Sequence, residues 1–143
     1  MSYGYAGKIL WVNLTTAECR EEPIEKYTQW IGGRGLGSFL VSQISELKSE
    51  NPADQPIAIS AGVLVGTGAP LGSRTTVSAR NLVSKGFCYS NVGGDIGTRM
   101  KMAGYDTVII EGKSDQPVYL YLSGSTAKIL PADEFWGLKI TEF

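Results

Sequence analysis

The chain contains no histidine and only two cysteines, and these shortages exclude several classes of catalytic site. Without histidine, the Ser–His–Asp and Cys–His nucleophile arrangements and every histidine-containing metal site are excluded. Cys19 and Cys88 cannot by themselves hold a zinc ion or an iron–sulfur cluster, because both usually take about four protein ligands. Each cysteine stands in an alternating apolar run, so we expect two small buried thiols rather than a disulfide.

The chain also lacks an excess of positive or negative charge and has no long apolar run. The net charge of −1, with no basic run, argues against nucleic acid and anionic membranes as partners. No apolar run approaches the roughly 20 residues that span a bilayer, and the N-terminus lacks the apolar core of a signal peptide, so we expect a cytoplasmic protein. With 143 residues, 43% of them apolar, one domain is expected.

The hydrophobic pattern predicts three hairpins and two helices. Strands are predicted at Lys8–Leu14, Glu18–Glu22, Pro56–Leu64, Arg74–Arg80, Gly86–Asn91, Tyr105–Glu111, Val118–Leu122 and Ala127–Leu130. Helices are predicted at Leu36–Leu47 and from Ile96 to Ala103. Because the strands do not alternate strictly with helices, we expect an α+β fold with mostly antiparallel sheets.

The two halves of the chain resemble each other in element order. Each half is predicted to contain a hairpin, a glycine pair, a helix and a buried strand, in that order. Ile31-Gly32-Gly33 in the first half corresponds to Val92-Gly93-Gly94 in the second. The residues alone leave an internal duplication and a coincidence among 18 glycines both open.

The GGRGLG segment at Gly32–Gly37 does not meet the requirements of a nucleotide-binding loop. It has no GK[ST] ending, Ser38 stands where the last glycine of the dinucleotide fingerprint belongs, and no long apolar strand immediately precedes it. We interpret the segment as a tight strand-to-helix turn packed against a sheet.

The stretch Gly66–Lys113 is the best candidate for an anion-binding site. Its one arginine that looks buried, Arg74, offers a planar fork for phosphate or carboxylate, or else bonds loop carbonyls as a structural residue. Asn91 precedes Gly93-Gly94, where its amide caps the next helix or offers its oxygen to a metal or to the water shell of a phosphate. The glycine pair lets backbone N–H groups approach a ligand.

We expect the other charged residues that were considered to lie on the surface. Arg99 and Lys101 are interpreted as a solvated helix face, although they could add positive charge near the same site. No residue is assigned a catalytic role.

Three segments resemble the N-terminal domain of the tungsten-containing aldehyde:ferredoxin oxidoreductase family. They are GKILWVNLTTAECREE with IGGRGLG, AGVLVGTGAPLGSRTTVSARN, and NVGGDIGTRMKMAGYDTVIIEGKSDQPVYLYL, in the family's order along nearly the whole chain. The resemblance implies an α+β domain built by internal duplication, on which a tungsten ion held by two molybdopterin-type pterins rests. The similarity in element order between the two halves of the chain is then expected.

The same resemblance implies roles for three residues. Arg74 is similar to the arginine between a pterin and the iron–sulfur cluster, Asn91 to the residue near the magnesium that bridges the two pterin phosphates, and Gly93 to a backbone contact with the pterin. In such an enzyme aldehydes are oxidised to carboxylic acids and electrons pass to ferredoxin through a 4Fe–4S cluster.

The chain also departs from the family. Family members run to about 600 residues, and their cluster cysteines, substrate pocket and second pterin loop have no counterpart here. We therefore expect residues 1–143 to be a single, incomplete cofactor-cradling domain that is inactive alone and self-associates. Two alternatives stay open: a non-catalytic fragment or assembly module, and a part of the related branch that reduces aromatic thioesters.

Overall fold

The computed structural model describes residues 4–44, 49–124, 126–139 and 141–142, which form eight strands and two α-helices. The strands are β1 (Lys8–Asn13), β2 (Glu18–Pro23), β3 (Ile57–Ala61), β4 (Thr75–Arg80), β5 (Phe87–Val92), β6 (Tyr105–Glu111), β7 (Val118–Ser123) and β8 (Thr126–Pro131). The α-helices are α1 (Gly33–Ile44) and α2 (Ile96–Met102), and short 3-10 helices span Ile24–Trp30 and Pro52–Asp54. The predicted α+β class is confirmed.

Six of the strands form one mixed sheet in the order β2-β1-β6-β3-β4-β5. Every neighbouring pair is antiparallel except β1 and β6, which run parallel. The strands β7 and β8 form a separate antiparallel hairpin. β6 lies near the centre, and its Thr107–Ile110 run is β-branched, as suits a strand that is covered on both faces.

Helix α1 covers one face of the sheet. Its apolar side places Leu36 and Leu40 against Ile9, Ala58 and Ile109, all of which are buried. Beside these contacts the helix passes so close to the sheet that only glycine fits: a Cβ on residue 37 would lie 2.8 Å from the hydroxyl of Ser78. Helix–sheet packing thus explains Gly37, whereas a Cβ on Gly35 would lie 2.7 Å from the backbone oxygen of Trp30 in the preceding 3-10 helix.

Helix α2 and the β7–β8 hairpin cover the opposite face. Met100 and Ala103 join Leu10 and Val108 in a second buried cluster, and side chains of β7 and β8 pack on it. Gly97 is the point of closest approach, since a Cβ there would lie 2.1 Å from the hydroxyl oxygen of Thr75. The core is therefore two apolar layers, one on each side of the central sheet.

The two halves of the chain interlock in the sheet. The closing strand of the first half, β3, lies next to β4 of the second half, and the closing strand of the second half, β6, lies next to β1 of the first. Exchanging the halves reproduces the strand order, as the predicted repeat requires. Strand direction does not follow the repeat, because β6 is parallel to β1 whereas β3 is antiparallel to β4.

Three local expectations were wrong or only partly right. Helix α1 begins at Gly33 rather than Leu36, and a 3-10 helix rather than a strand precedes its glycine turn. Residues 45–47 of the predicted helix lie outside the described residues. Cys19 and Cys88 are exposed, not buried. They lie on β2 and β5, at opposite edges of the six-stranded sheet, so they cannot form a disulfide with each other or share a metal.

Candidate functional site

The three predicted cofactor-binding residues meet at one end of the β4–β5 hairpin. Arg74 immediately precedes β4, while Asn91 lies near the end of β5 and Gly93 follows that strand. Because Thr75 pairs with Val92, residues 74 and 93 lie opposite each other just beyond the ladder. A Cβ placed on Gly93 would lie 3.9 Å from the backbone oxygen of Ser73. The structure therefore brings together residues that are far apart in the sequence.

Arg74 is exposed, which corrects the expectation that it looks buried. Its backbone is nevertheless fixed: its carbonyl accepts the N–H of Gly62 at 3.0 Å, and its own N–H donates to Gly72 at 3.0 Å. Within the described parts of the chain the guanidinium has no hydrogen bond or ion pair, so the interpretation as a carbonyl-binding structural arginine is wrong. A fixed backbone with an open cationic fork suits an external anion.

Asn91 is held by a side-chain hydrogen bond across the hairpin. The hydroxyl of Thr76 donates to the side-chain oxygen of Asn91 at 3.0 Å, and Thr76 is buried while Asn91 is exposed. Asn91 does not cap α2, whose N-cap residue is Asp95, so the capping interpretation is wrong. The bond to Thr76 orients the amide and leaves its N–H groups without a partner among the residues described.

The glycine pair after β5 lies in an open loop. A Cβ on Gly94 would have no heavy atom within 4 Å, and the φ of +77° at this residue favours glycine. Helix α2 starts only at Ile96 and has 7 residues. The pair does not open the helix directly, so the expected contribution of helix N–H groups is replaced by the loop's own backbone.

These residues fit an anionic, phosphate-bearing cofactor in their chemistry. The end of the hairpin offers a guanidinium, an oriented amide and an open glycine backbone, and all of β5 is exposed around them. Guanidinium and backbone N–H groups are the usual partners of phosphate oxygens. Among the described residues no group of three or more Cys, Asp or Glu side chains could hold a metal.

Of the two basic residues on α2, only one is a solvated side chain. The side chain of Arg99 is 80% exposed, as expected, but that of Lys101 is 9% exposed. Sequence reasoning missed this buried lysine. It also missed Thr76. Two signals were available: Lys101 stands four residues after Gly97 on the packed side of the helix, and hairpin register places Thr76 opposite Asn91.

The geometry defines an α+β domain whose sheet ends in an open, polar loop cluster suited to an anionic ligand. Residues 9–143 match the family model described as aldehyde ferredoxin oxidoreductase, N-terminal domain. The chain therefore belongs to the aldehyde ferredoxin oxidoreductase family, whose N-terminal domain it represents.

Similar proteins agree with this membership. The tungsten-containing aldehyde ferredoxin oxidoreductase of Pyrococcus abyssi is 37% identical over 98% of this chain, and the aliphatic sulfonate oxidoreductase, WOR-like subunit, of Pyrococcus furiosus is 33% identical over 95%. A solved structure, the active site complex BamBC of benzoyl coenzyme A reductase with 1,5-dienoyl-CoA, superposes with a TM-score of 0.90, 28% identity and 99% coverage.

The chain spans only part of these relatives. It covers 24% of the Pyrococcus abyssi protein and 22% of the benzoyl coenzyme A reductase chain. In the parts of the chain that the structure describes, no helix has the length and hydropathy of a membrane span.

Proposed function

We propose that this chain is the cofactor-binding N-terminal portion of a tungsten-dependent oxidoreductase that converts aldehydes to carboxylic acids. The observation that carries the proposal is the meeting of Arg74, Asn91 and Gly93 at one open end of the β4–β5 hairpin. The metal is supported by a relative that is a tungsten-containing enzyme, and the electron acceptor by the ferredoxin in that enzyme's name.

In this proposal the chain binds and orients a molybdopterin-type cofactor. Arg74 would pair with an anionic oxygen of the cofactor, the Gly93-Gly94 backbone would approach the cofactor closely, and Asn91 would lie beside its magnesium. When bound, the tungsten–pterin group supplies the redox chemistry. The 4Fe–4S cluster belongs to the remainder of the enzyme, because the two cysteines of this chain lie at opposite sheet edges. We propose residues 1–143 as one incomplete domain that is inactive alone.

The decisive test is cofactor content rather than turnover. Arg74→Ala in a full-length parent should lower tungsten and pterin per mole of purified protein about tenfold, since one charge-assisted contact contributes about 1.5–3 kcal/mol. Arg99→Ala is the matched control, because Arg99 is also an exposed arginine but lies on α2 and not at the end of the β4–β5 hairpin. Equal tungsten content in both variants would refute the assignment.

The related reductase branch is the second candidate, and it is supported by the TM-score of 0.90 with the benzoyl coenzyme A reductase complex. An aromatic coenzyme A thioester would then replace the aldehyde as substrate. Assaying the full-length parent with an aliphatic aldehyde and with an aromatic thioester separates the two, since only one of them should be turned over.

A third candidate is an assembly module without chemistry of its own. Strand β5 is exposed along its whole length and pairs with β4 on one side only among the described residues, so it offers an edge for a second copy. Metal analysis of the purified chain after anaerobic expression with tungstate or molybdate tests this candidate. Stoichiometric metal with pterin would mean that the half-cradle suffices, and its absence would favour a fragment or an assembly module.

A further inference from the structure

The side chain of Lys101 is a buried ammonium with all of its donors in use. Its Nζ donates to the backbone oxygens of Gly4 at 2.7 Å, Gly62 at 2.8 Å and Val63 at 3.0 Å. An ammonium has three N–H donors, so these three bonds complete its capacity. Burying a lysine charge is costly unless it is fully bonded, and here backbone carbonyls from two distant segments supply the bonds.

Asp106 completes the arrangement from the central strand β6. Its carboxylate lies 4.0 Å from the Lys101 ammonium and accepts the N–H groups of Ala6 at 2.9 Å and Gly7 at 2.7 Å. Burial lowers the pKa of Lys101, and the nearby Asp106 charge opposes that shift. The pair therefore anchors three segments to one another: the N-terminal segment, the end of α2 and the turn after β3.

The turn after β3 is directly bonded to Arg74. The N–H of Gly62, whose carbonyl is held by Lys101, donates to the Arg74 carbonyl at 3.0 Å. A Cβ on Gly62 would also lie 3.0 Å from that same carbonyl, so the two backbones are in close contact. A single residue, Gly62, thus connects the Lys101 ammonium to the backbone that carries the exposed guanidinium.

We propose that Lys101 is a positioning residue for Arg74: its three carbonyl bonds fix the Gly62–Val63 turn, which in turn fixes where Arg74 stands at the end of the β4–β5 hairpin. The relevance to cofactor binding rests on the proposed function above. The positioning itself does not, because it concerns bonds within this chain.

The first experiment measures amide hydrogen exchange in the 143-residue chain. Lys101→Met replaces the aliphatic part of the side chain and removes the ammonium with its donors. The amides of Gly62 and Arg74 should exchange about tenfold faster than in the parent, while the amide of Val108 on β6 changes less than about twofold. Arg99→Ala, on the exposed side of the same helix, should change none of them.

Uniform acceleration of all amides, Val108 included, would mean that Lys101 only stabilises the fold, and unchanged exchange at Gly62 and Arg74 would mean that it does not hold the turn. Either result overturns the proposal. Should Lys101→Met give no folded protein, Lys101→Gln, whose amide retains two donors, should give the same local pattern with a smaller acceleration.

The second experiment measures tungsten per mole of a full-length parent. Lys101→Met should lower the content several-fold in the same direction as Arg74→Ala. If Arg74→Ala loses tungsten while Lys101→Met keeps its full tungsten content, the positioning proposal is overturned and the proposed function stands. Full content in both variants would overturn the proposed function, while the exchange data would still decide whether Lys101 holds the turn.

Discussion

The hydroxyl of Thr76 donates a 3.0 Å hydrogen bond to the side-chain oxygen of Asn91, across the β4–β5 ladder. Thr76 is buried and Asn91 is exposed, so the bond attaches a side chain at the surface to an ordered residue of the core. Because the side-chain oxygen of Asn91 points toward Thr76, the two N–H donors of the same amide face outward.

Thr76→Val should loosen this amide with little change of side-chain shape. We expect tungsten content of a full-length parent to fall several-fold, and the free energy of unfolding to fall by about 1 kcal/mol for the lost hydrogen bond. Inductively coupled plasma mass spectrometry and chemical denaturation measure the two effects. Thr76→Ser, which retains the hydroxyl, is the control. Full tungsten content in Thr76→Val would show that the orientation of Asn91 has no part in cofactor binding.

Substitution by alanine should affect the stability of the fold at one glycine near this site and not at another. Gly97→Ala places a Cβ 2.1 Å from the Thr75 hydroxyl oxygen, so α2 must move off the sheet, and we expect a loss of about 1–3 kcal/mol in stability. Gly93→Ala meets its nearest atom only at 3.9 Å and should fold normally, within about 0.5 kcal/mol of the parent. Thermal unfolding of the two variants tests this. In a full-length parent, Gly93→Ala should still lower pterin content by blocking close approach of the backbone.

Acid should weaken the fold through Glu21. Its hydrogen bond from Lys8, and then that from Tyr105, lower the pKa of the Glu21 carboxyl below its usual 4.5. A carboxyl whose pKa is lower in the folded state contributes stability that is present above its unfolded pKa and lost as pH falls through the folded one. Because the side chain is 37% exposed, solvent screens the ion pair with Lys8.

Glu21→Gln should therefore be less stable than the parent at pH 7, by about 1 kcal/mol, with the difference disappearing toward pH 2–3. Denaturant titrations across this range measure it. Glu18→Gln, on the same strand, controls for the loss of one negative charge. A difference that stays constant with pH would exclude Glu21 as the titrating group.

The isolated chain should self-associate through the free edge of β5. Phe87, Tyr89 and Val92 are all at least 41% exposed on this strand, and an unpaired apolar edge favours pairing with another chain. Ser90→Lys places a charge in the middle of the edge and should shift the chain toward monomer in light scattering over a concentration series. Gln116→Lys adds the same charge in a loop and should not. A parent that is strictly monomeric at high concentration would contradict the prediction.

Local patterns predicted most of the fold. Alternation located the strands of all three hairpins, and the buried run Tyr105–Glu111 was predicted with the bounds that β6 has. Glycine pairs located both helix approaches, although α1 starts three residues earlier than its first apolar residue. Short-range periodicity contains this information because it reflects which face of each element is buried.

Burial of individual polar residues could not be predicted in the same way. Lys101 is buried because carbonyls of Gly4, Gly62 and Val63 converge on it, and no local pattern encodes that convergence. Cys88 is exposed because β5 is an edge strand, a position that depends on sheet order. The site residues were located by family resemblance, and the structure adds their common end of the hairpin and the partner of Asn91.

The interlocked halves of the sheet have a consequence for how the chain is made. Leu10 pairs with Val108, and Ala6 bonds to Asp106 over a separation of 100 residues, so β1 lacks its inner neighbour until β6 has been synthesised. Non-local pairing of this kind slows folding, and a ribosome needs about 5–20 s to add a hundred residues. During that interval the first hairpin exposes an apolar edge. An exposed strand edge can pair with another chain, so this interval is the one in which aggregation competes most strongly with folding.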